Sequence, residues 1–201
     1  MSFIKICGVT RDEDLDLVLS SGATAVGFNL WPGSPRVIDE AQAQALCQRA
    51  AGKVETVLVV VNHPEPEALR QRVGADWVQL HGDETVVGPQ AFKAVGIAHP
   101  DDAERALRYG GDRILVDARD DVLKGGTGRA APPELARRVA LERRTILAGG
   151  LNPETVTDAI AAVEPWGVDT ASGVESSPGV KDPERVHRFV AAARAAFARE
   201  S

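Results

Sequence analysis

Two polar residues, Cys7 and Asp117, end short apolar runs of the sequence and could carry acid–base chemistry. Cys7 ends the run FIKIC, and Asp117 ends the run RILVD. A thiol with its ordinary pKa of about 8.5 is partly ionised near neutral pH and can accept a proton, and a carboxylic acid can donate one. Each residue also has a structural interpretation, because free cysteines are commonly buried in cores and an aspartate can cap a loop. The residues alone leave both interpretations open, whereas Cys47, in a run of Ala, Gln and Leu, is interpreted as core.

Lys5 and Asp169 form a second candidate pair. Successive side chains of a strand point to opposite faces, so Lys5 and Cys7 share one face of the first apolar run. Asp169 lies in the last apolar run, GVDTASG. In a closed sheet the first and last strands are neighbours, and a buried lysine there requires a counter-charge. An interior ion pair and a catalytic or ligand-binding role for Asp169 are both consistent with these residues.

Two glycine-bearing turns and one arginine are candidate anion-binding groups. Gly149-Gly150 follows the seventh apolar run, and Ser172-Gly173 follows the eighth. Glycine lets backbone N–H groups approach an anion, and barrels commonly bind phosphate with these two loops, although each glycine taken singly could serve only a tight turn. Arg36, in the proline-flanked segment PGSPR, could bind a substrate carboxylate with both arms of its guanidinium, or it could be an ordinary solvated charge.

His81 directly follows the run WVQL and is a further candidate to line a site, with no role that the sequence fixes. The four histidines and two cysteines show no spacing typical of metal ligands, so we expect no metal. The glycine-rich segment 124–128 is a candidate lid. It lacks the G-K-[ST] ending of a nucleotide-binding loop, which argues against binding of a nucleoside triphosphate.

These candidate residues are positioned by eight short apolar runs that alternate with amphipathic stretches. The runs are almost continuously apolar, as in strands of a parallel sheet covered on both faces. Eight strand–helix units in 201 residues average about 25 residues each, near the lower limit for a barrel of this kind. We therefore predict an α/β fold, a (β/α)8 TIM barrel, rather than a doubly wound open sheet, because no G-x-G-x-x-G motif follows the first run. The predicted strands begin at Phe3, Ala25, Glu55, Trp77, Ala91, Arg113, Thr145 and Gly167, and the predicted helices begin near Thr10, Asp39, Pro64, Asp101, Pro132, Pro153 and Asp182.

One connection of the predicted barrel is irregular. Only residues 83–90 separate the fourth and fifth strands, fewer than the roughly 10–12 residues of a complete crossover with its helix. Gly88-Pro89 would also break a helix there. We therefore predict a shortened or missing fourth helix.

Length and charge restrict the class of protein. A chain of 201 residues accommodates one large domain, so we predict a single barrel domain over 1–201. The formal net charge of −6 argues against a nucleic-acid or anionic-membrane partner. Two cysteines make no disulfide framework, and no signal-peptide or membrane-spanning segment is evident, so we expect a cytoplasmic protein. Its oligomeric state, monomer or homodimer, is not encoded in any pattern that we recognise.

Taken together, the motifs resemble those of phosphoribosylanthranilate isomerases, a TIM-barrel family of tryptophan biosynthesis. They occur in family order from the first strand to the last, and KICG and SGVExxPGxKD are specific. The short connection between the fourth and fifth strands departs from the family, which normally has a complete helix there. The matching segments are KICGVT (5–10), GATAVGF (22–28), PGSPR (32–36), VQLHGDE (78–84), LVD (115–117), GGTG (125–128), LAGGLNPE (147–154) and VDTASGVESSPGVKD (168–182).

The resemblance implies an Amadori rearrangement of a small phosphorylated substrate, N-(5-phosphoribosyl)anthranilate, without a cofactor. It implies that Asp117 is the general acid, that Cys7 as thiolate is the general base, and that Arg36 holds the anthranilate carboxylate. It further implies that the phosphate binds at Gly149-Gly150 and Ser172-Gly173, and that His81 and Asp169 line the site. Three alternatives stay open: another phosphosugar isomerase or epimerase barrel, such as the related histidine-pathway isomerase; a catalytically silent barrel that binds a phosphorylated ligand; and a structural scaffold, which would not need an acid, a base and an anion site at one rim.

Overall fold

Eight parallel strands close into a barrel in chain order, with the first strand paired to the eighth. The computed structural model of the chain describes residues 2–85, 88–117 and 133–199. The predicted (β/α)8 architecture is confirmed, and seven of the eight strands begin at the predicted residue. The barrel strands are β1 (Phe3–Cys7), β2 (Ala25–Asn29), β3 (Glu55–Val60), β4 (Trp77–Leu80), β5 (Ala91–Gly96), β6 (Arg113–Asp117), β7 (Arg144–Ala148) and β8 (Gly167–Thr170).

Alternation along β1 sorts its side chains between the two sides of the barrel wall. Ile4 and Ile6 pack outward in the large apolar cluster shared with the helices, while Phe3 joins the smaller cluster inside the barrel. Lys5 and Cys7 therefore share the interior face, as the sequence predicts. Because both faces are covered, the strand residues are buried and apolar in an almost unbroken run.

Helices cover the outside of the barrel and begin and end where local signals place them. The Asp39 side chain accepts a hydrogen bond of 2.8 Å from the amide of Gln42, which caps the second helix, and left-handed Gly22 ends the first. The sixth helix begins three residues after Pro153, because the Asn152 side chain holds the intervening residues in a turn. The helices are α1 (Asp12–Ser21), α2 (Glu40–Ala50), α3 (Pro66–Val73), α4 (Pro100–Arg108), α5 (Pro133–Ala140), α6 (Val156–Val163) and α7 (Pro183–Arg199).

The connection from β4 to β5 contains no helix in its described residues, 81–85 and 88–90. A buried lysine of β5 holds it instead. Lys93 donates hydrogen bonds from Nζ to the carbonyl oxygens of Gly82 and Glu84, and it lies 3.8 Å from the Glu84 carboxylate. Its ammonium group thus satisfies polar groups of a loop whose described residues form no helix.

Replacing Lys93 with methionine should destabilise this connection. Leaving buried acceptors without a donor costs about 1–3 kcal/mol, and the free energy of unfolding from urea titration should fall by that amount. In the unmodified chain, amide exchange should already be faster over 83–90 than over 153–163. Lys53, exposed and without a side-chain partner among the described residues, provides the matched control, Lys53→Met. Equal stability of the two variants would show that Lys93 does not hold the loop.

An arginine surrounded by aromatic rings fills the amino-terminal end of the barrel. The Arg113 guanidinium lies 3.7 Å from the centre of the Trp77 ring, 4.8 Å from that of Trp166 and 5.3 Å from that of Phe3. It also donates a hydrogen bond of 2.8 Å to the carboxylate of Glu55. Cation–π contacts and the ion pair stabilise this buried charge, although Nε of Arg113 has no hydrogen-bond partner among the described residues. Because Arg113 and these rings fill the amino-terminal end, a site can lie only at the opposite, carboxyl-terminal end of the barrel.

Candidate active site

A cavity of about 300 Å³ opens at the carboxyl ends of the strands. The structure brings five of the sequence-predicted side chains together around it. The exposed Trp31, which sequence reasoning did not single out, also contributes to its wall. The five predicted side chains that line the cavity are Cys7, Arg36, His81, Asp117 and Asp169.

Glycines make room for the Cys7 thiol and for the arginine beside it. Gly27 lies opposite Cys7 on β2, and a Cβ atom there would lie 2.7 Å from Sγ. Gly8, with φ +72°, lets the Arg36 side chain cross the end of β1, because a Cβ atom at Gly8 would lie 2.4 Å from its Cδ. The Cys-Gly sequence therefore places a thiol and a guanidinium side by side.

Burial raises the pKa of the Cys7 thiol, and the neighbouring charges of Lys5 and Lys181 only partly offset this rise. The Cys7 thiol is therefore harder to ionise than a thiol with its ordinary pKa. Lys5 itself remains an ammonium group: burial lowers its pKa, but Asp169 and Cys7 outweigh burial and raise the pKa above its ordinary value. A thiolate formed at Cys7 would thus lie beside a permanent positive charge.

Lys5, Asp169, Gln79 and His81 form a hydrogen-bonded chain across the barrel. Lys5 Nζ lies 3.0 Å from Asp169 Oδ1 and 2.9 Å from Gln79 Oε1. The interior ion pair, one of the two interpretations that the sequence left open, is therefore present. An ammonium group only donates, so the Gln79 oxygen faces Lys5 and its Nε2 faces the His81 Nε2. His81 must accept that bond as a neutral imidazole. The residue is exposed at the mouth of the cavity, but its ring is largely removed from bulk water. This burial and, next, the Lys5 charge lower the pKa of His81 to about 4.

Sequence reasoning missed Gln79, but a signal for it exists. Gln79 lies two residues before His81, so both point to the same side of β4. A fully buried polar residue in a short apolar strand needs a partner, and Lys5 and His81 are those partners.

Arg36 is neither an isolated solvated charge nor free of partners. Its Nε and Nη2 donate hydrogen bonds of 2.8 and 2.6 Å to the two carboxylate oxygens of Glu175. Lys181 donates a further bond of 2.8 Å to Glu175. Burial alone would raise the pKa of Glu175, but the bonds from Arg36 and Lys181 outweigh it and hold that pKa below its ordinary value. Glu175 and Lys181 lie in the segment 168–182, and the sequence assigns them no site role.

Asp117 ends β6 opposite Ala148 of β7, and its half-buried side chain lines the cavity. The chain that follows Asp117, residues 118–132, lies outside the described residues. The predicted lid at 124–128 falls within that segment.

The two glycine-bearing turns meet after β7 and β8, and none of their four predicted residues is among those that line the cavity. Gly149 and Gly150 line a separate pocket beside α6. Gly149 and Gly150 have φ of 108° and 70°, a conformation that favours glycine. A Cβ atom at Gly173 would lie 1.9 Å from the carbonyl oxygen of Leu151, so only glycine allows the turns to approach this closely. Within the described part of the chain, the amides of Gly149, Gly150, Ser172 and Gly173 donate to no protein acceptor. Unpaired amides from two adjacent loops are suited to binding an anion.

Two further properties concern only the described residues. No three or more His, Cys, Asp or Glu side chains are grouped there so that they could hold a metal ion. None of the helices described above has the length and apolar character needed to cross a membrane.

A thiol beside a lysine, a carboxyl group, an anchored arginine and two amide-bearing loops surround one end of the barrel. This combination is typical of (β/α)8-barrel enzymes that act on small phosphorylated molecules by proton transfer. Residues 4–192 match the family described as N-(5'-phosphoribosyl)anthranilate (PRA) isomerase. The chain belongs to this family.

Individual relatives are similar to this chain over most of its length and of their own. The chain is 41% identical over 202 residues to the N-(5'-phosphoribosyl)anthranilate isomerase of Syntrophus aciditrophicus, which covers 96% of this chain and 88% of the relative. The crystal structure of phosphoribosyl anthranilate isomerase from Thermotoga maritima superposes with a TM-score of 0.85 at 36% identity, covering 97% of this chain and 100% of that one. A family structure in complex with reduced 1-(o-carboxyphenylamino)-1-deoxyribulose 5-phosphate gives 0.79 at 35% identity, with 97% and 100% coverage.

Proposed function

We infer that Cys7 and Asp117 carry out the family's isomerisation in this chain. The reaction converts N-(5-phosphoribosyl)anthranilate into 1-(2-carboxyphenylamino)-1-deoxyribulose 5-phosphate, a step of tryptophan biosynthesis. The observation that carries this assignment is the position of both side chains on one cavity, together with an arginine suited to a carboxylate.

Asp117 acts first, as the general acid. It donates a proton to the oxygen of the furanose ring, the bond between that oxygen and C1 breaks, and the nitrogen lone pair forms a protonated imine at C1. The positive nitrogen then makes the hydrogen on C2 acidic.

Cys7 acts second, as the general base. Its thiolate takes the proton from C2, and the electron pair of that C–H bond forms a C1–C2 double bond while the imine nitrogen becomes neutral. The resulting enolamine takes up a proton at C1 and loses the proton of its C2 hydroxyl group, which leaves the ketone. Lys5 stays charged throughout and stabilises the thiolate.

The remaining residues bind and orient the substrate. Arg36 holds the anthranilate carboxylate, and the amides at Gly149-Gly150 and Ser172-Gly173 hold the phosphate. His81, which is neutral and fixed by Gln79, and Asp169, which is paired with Lys5, line the cavity between the carboxylate and phosphate ends of the substrate.

The chain takes one small phosphorylated substrate and works in the cytoplasm as one barrel domain over 1–201. It is a monomer or a homodimer, and monomers derived from a dimeric relative have been solved.

The pH dependence of kcat/KM tests the role of Cys7. Only the thiolate of Cys7 accepts a proton and only the protonated carboxyl group of Asp117 donates one, so log kcat/KM should follow a bell-shaped pH curve. The charge of Asp169 raises the pKa of Cys7, so Asp169→Asn should move the limb that reports Cys7 to lower pH. Ionisation of the substrate phosphate could also produce a rising limb, but that limb would stay at the same pH in the variant. An unmoved limb would count against Cys7 as the base.

Replacing Gly173 with alanine tests the phosphate site. The added Cβ atom must displace the Leu151 carbonyl, which separates the two turns. KM should rise about 10- to 100-fold, because each lost hydrogen bond to a charged group costs roughly 1.5–3 kcal/mol. Inhibition by inorganic phosphate should weaken in parallel. Gly110→Ala is the matched control, because a Cβ atom there meets nothing within 4 Å. Unchanged KM and phosphate inhibition in a folded Gly173→Ala variant would place the phosphate elsewhere.

A further inference from the structure

The carboxylate of Glu175 occupies only one of the two edges of the Arg36 guanidinium. A guanidinium can offer one pair of donors from Nε and one terminal nitrogen, and a second pair from its two terminal nitrogens. Glu175 accepts from Nε and Nη2, and Nη1 donates to no acceptor among the described residues. The terminal edge of Arg36 therefore remains available for a second carboxylate.

Lys181 connects this clamp to the backbone that carries the thiol. Its Nζ donates hydrogen bonds of 2.8 Å to Glu175 Oε1, 2.6 Å to the carbonyl oxygen of Cys7 and 3.2 Å to that of Ala171. Glu175 and Lys181 are 7% and 3% exposed, so both charges are removed from water. The ends of β1 and β8 and the Arg36 side chain thus share one buried ionic network.

A buried network of this kind is poorly explained by stability alone. Removing charges from water is costly, and apolar side chains of similar volume often stabilise a fold equally well. Arg36 and Lys181 share the single carboxylate of Glu175, so this network carries one positive charge in excess. The excess charge and the unoccupied edge of Arg36 are both suited to binding a carboxylate ligand.

We propose that Glu175 and Lys181 are positioning residues for the carboxylate of the substrate: Glu175 fixes the Arg36 guanidinium with its terminal edge toward the cavity, and Lys181 fixes Glu175 to the backbone of Cys7. The inference rests on the proposed role of Arg36. Neither side chain touches the reacting atoms. Each acts by keeping the carboxylate anchor at a constant distance from the base.

Substrate discrimination separates this role from a general effect on folding. N-(5-phosphoribosyl)anthranilate and the analogue with an unsubstituted phenyl ring, N-(5-phosphoribosyl)aniline, differ only in the carboxylate. The unmodified chain should favour the first in kcat/KM by roughly 10- to 100-fold, as expected for a charged hydrogen-bonded pair. Arg36→Met should abolish this preference. Glu175→Gln should reduce it severalfold at least, by raising KM for the carboxylated substrate with little change in kcat or in inhibition by phosphate.

Two further variants complete the experiment. In the double variant Arg36→Met/Glu175→Gln, the preference should be no lower than in Arg36→Met alone, because Glu175 acts through Arg36. Glu84→Gln changes another buried carboxylate beside a buried lysine at the same end of the barrel, and it should leave the preference intact.

The outcomes separate the positioning role of Glu175 from the carboxylate-binding role of Arg36. If Glu175→Gln lowers kcat/KM equally for both compounds, or leaves both unchanged, the positioning role is wrong while the role of Arg36 stands. If the unmodified chain shows no preference for the carboxylated compound, Arg36 is not the carboxylate anchor, and the role of Glu175 falls with it.

Discussion

Replacing Cys7 with alanine should lower kcat by roughly 10²–10⁴-fold, the usual contribution of a general base. The thiolate acts only while the C2 proton moves, so its loss raises the energy of the transition state far more than it weakens substrate binding. KM should therefore change much less than kcat. Steady-state kinetics on the folded variant give both values.

Two matched variants identify the thiolate as the cause. Cys7→Ser keeps nearly the same shape but is not ionised near neutral pH, so it should be severely impaired as well. Cys47→Ala removes the other cysteine, whose pKa burial raises to about 12, and it should leave kcat unchanged. Circular dichroism must show that each variant folds, because Cys7 is itself buried. A folded Cys7→Ala protein with near-normal turnover would remove Cys7 from the mechanism, and Asp169 would become the candidate base.

Replacing Asp117 with asparagine should lower kcat on a similar scale, roughly 10²–10⁴-fold. An amide preserves the shape of the side chain but cannot deliver a proton to the ring oxygen, so the furanose would open slowly. Asp112→Asn, just before the opposite end of the same strand, is the control and should leave kcat unchanged, since Asp112 pairs with Arg144 outside the cavity. If Asp117→Asn keeps more than a tenth of the turnover, the ring oxygen takes its proton from another group.

The strands were predictable because they rest on local rules, whereas the interior ion pair was one of two interpretations because it also requires the sheet to close. Near-continuous apolar runs between helical patterns predict a parallel sheet, and alternation puts Lys5 and Cys7 on one face. Closure of the sheet then makes Asp169 the partner of Lys5, at 3.0 Å. The shortened or missing helix between β4 and β5 was predicted from the small number of residues, 83–90, and from Gly88-Pro89, and the described residues there contain no helix. Its replacement by Lys93 was not predicted, because the bonds from Lys93 depend on the path of the loop.

The clamp on Arg36 shows where prediction from sequence fails. Arg36 and Glu175 are 139 positions apart, in the segments that follow β2 and β8. Nothing in the spacing of these residues indicates that they meet. The raised pKa of Cys7 has the same origin, since it depends on how completely the loops and neighbouring strands exclude water from the thiol. Local patterns therefore predict which residues reach the site, while their charges and partners depend on tertiary packing.

Loss of substrate fluorescence tests the central claim most directly. N-(5-phosphoribosyl)anthranilate fluoresces through its anthranilate group, and isomerisation removes that signal. In the presence of a metal chelator, a catalytic amount of purified protein should remove the substrate fluorescence and form 1-(2-carboxyphenylamino)-1-deoxyribulose 5-phosphate. The Cys7→Ala protein at equal concentration should remove it at least a hundredfold more slowly, which is the lower bound for the loss of a general base. A stable signal with the unmodified, folded protein, or equal rates with both proteins, would contradict the account.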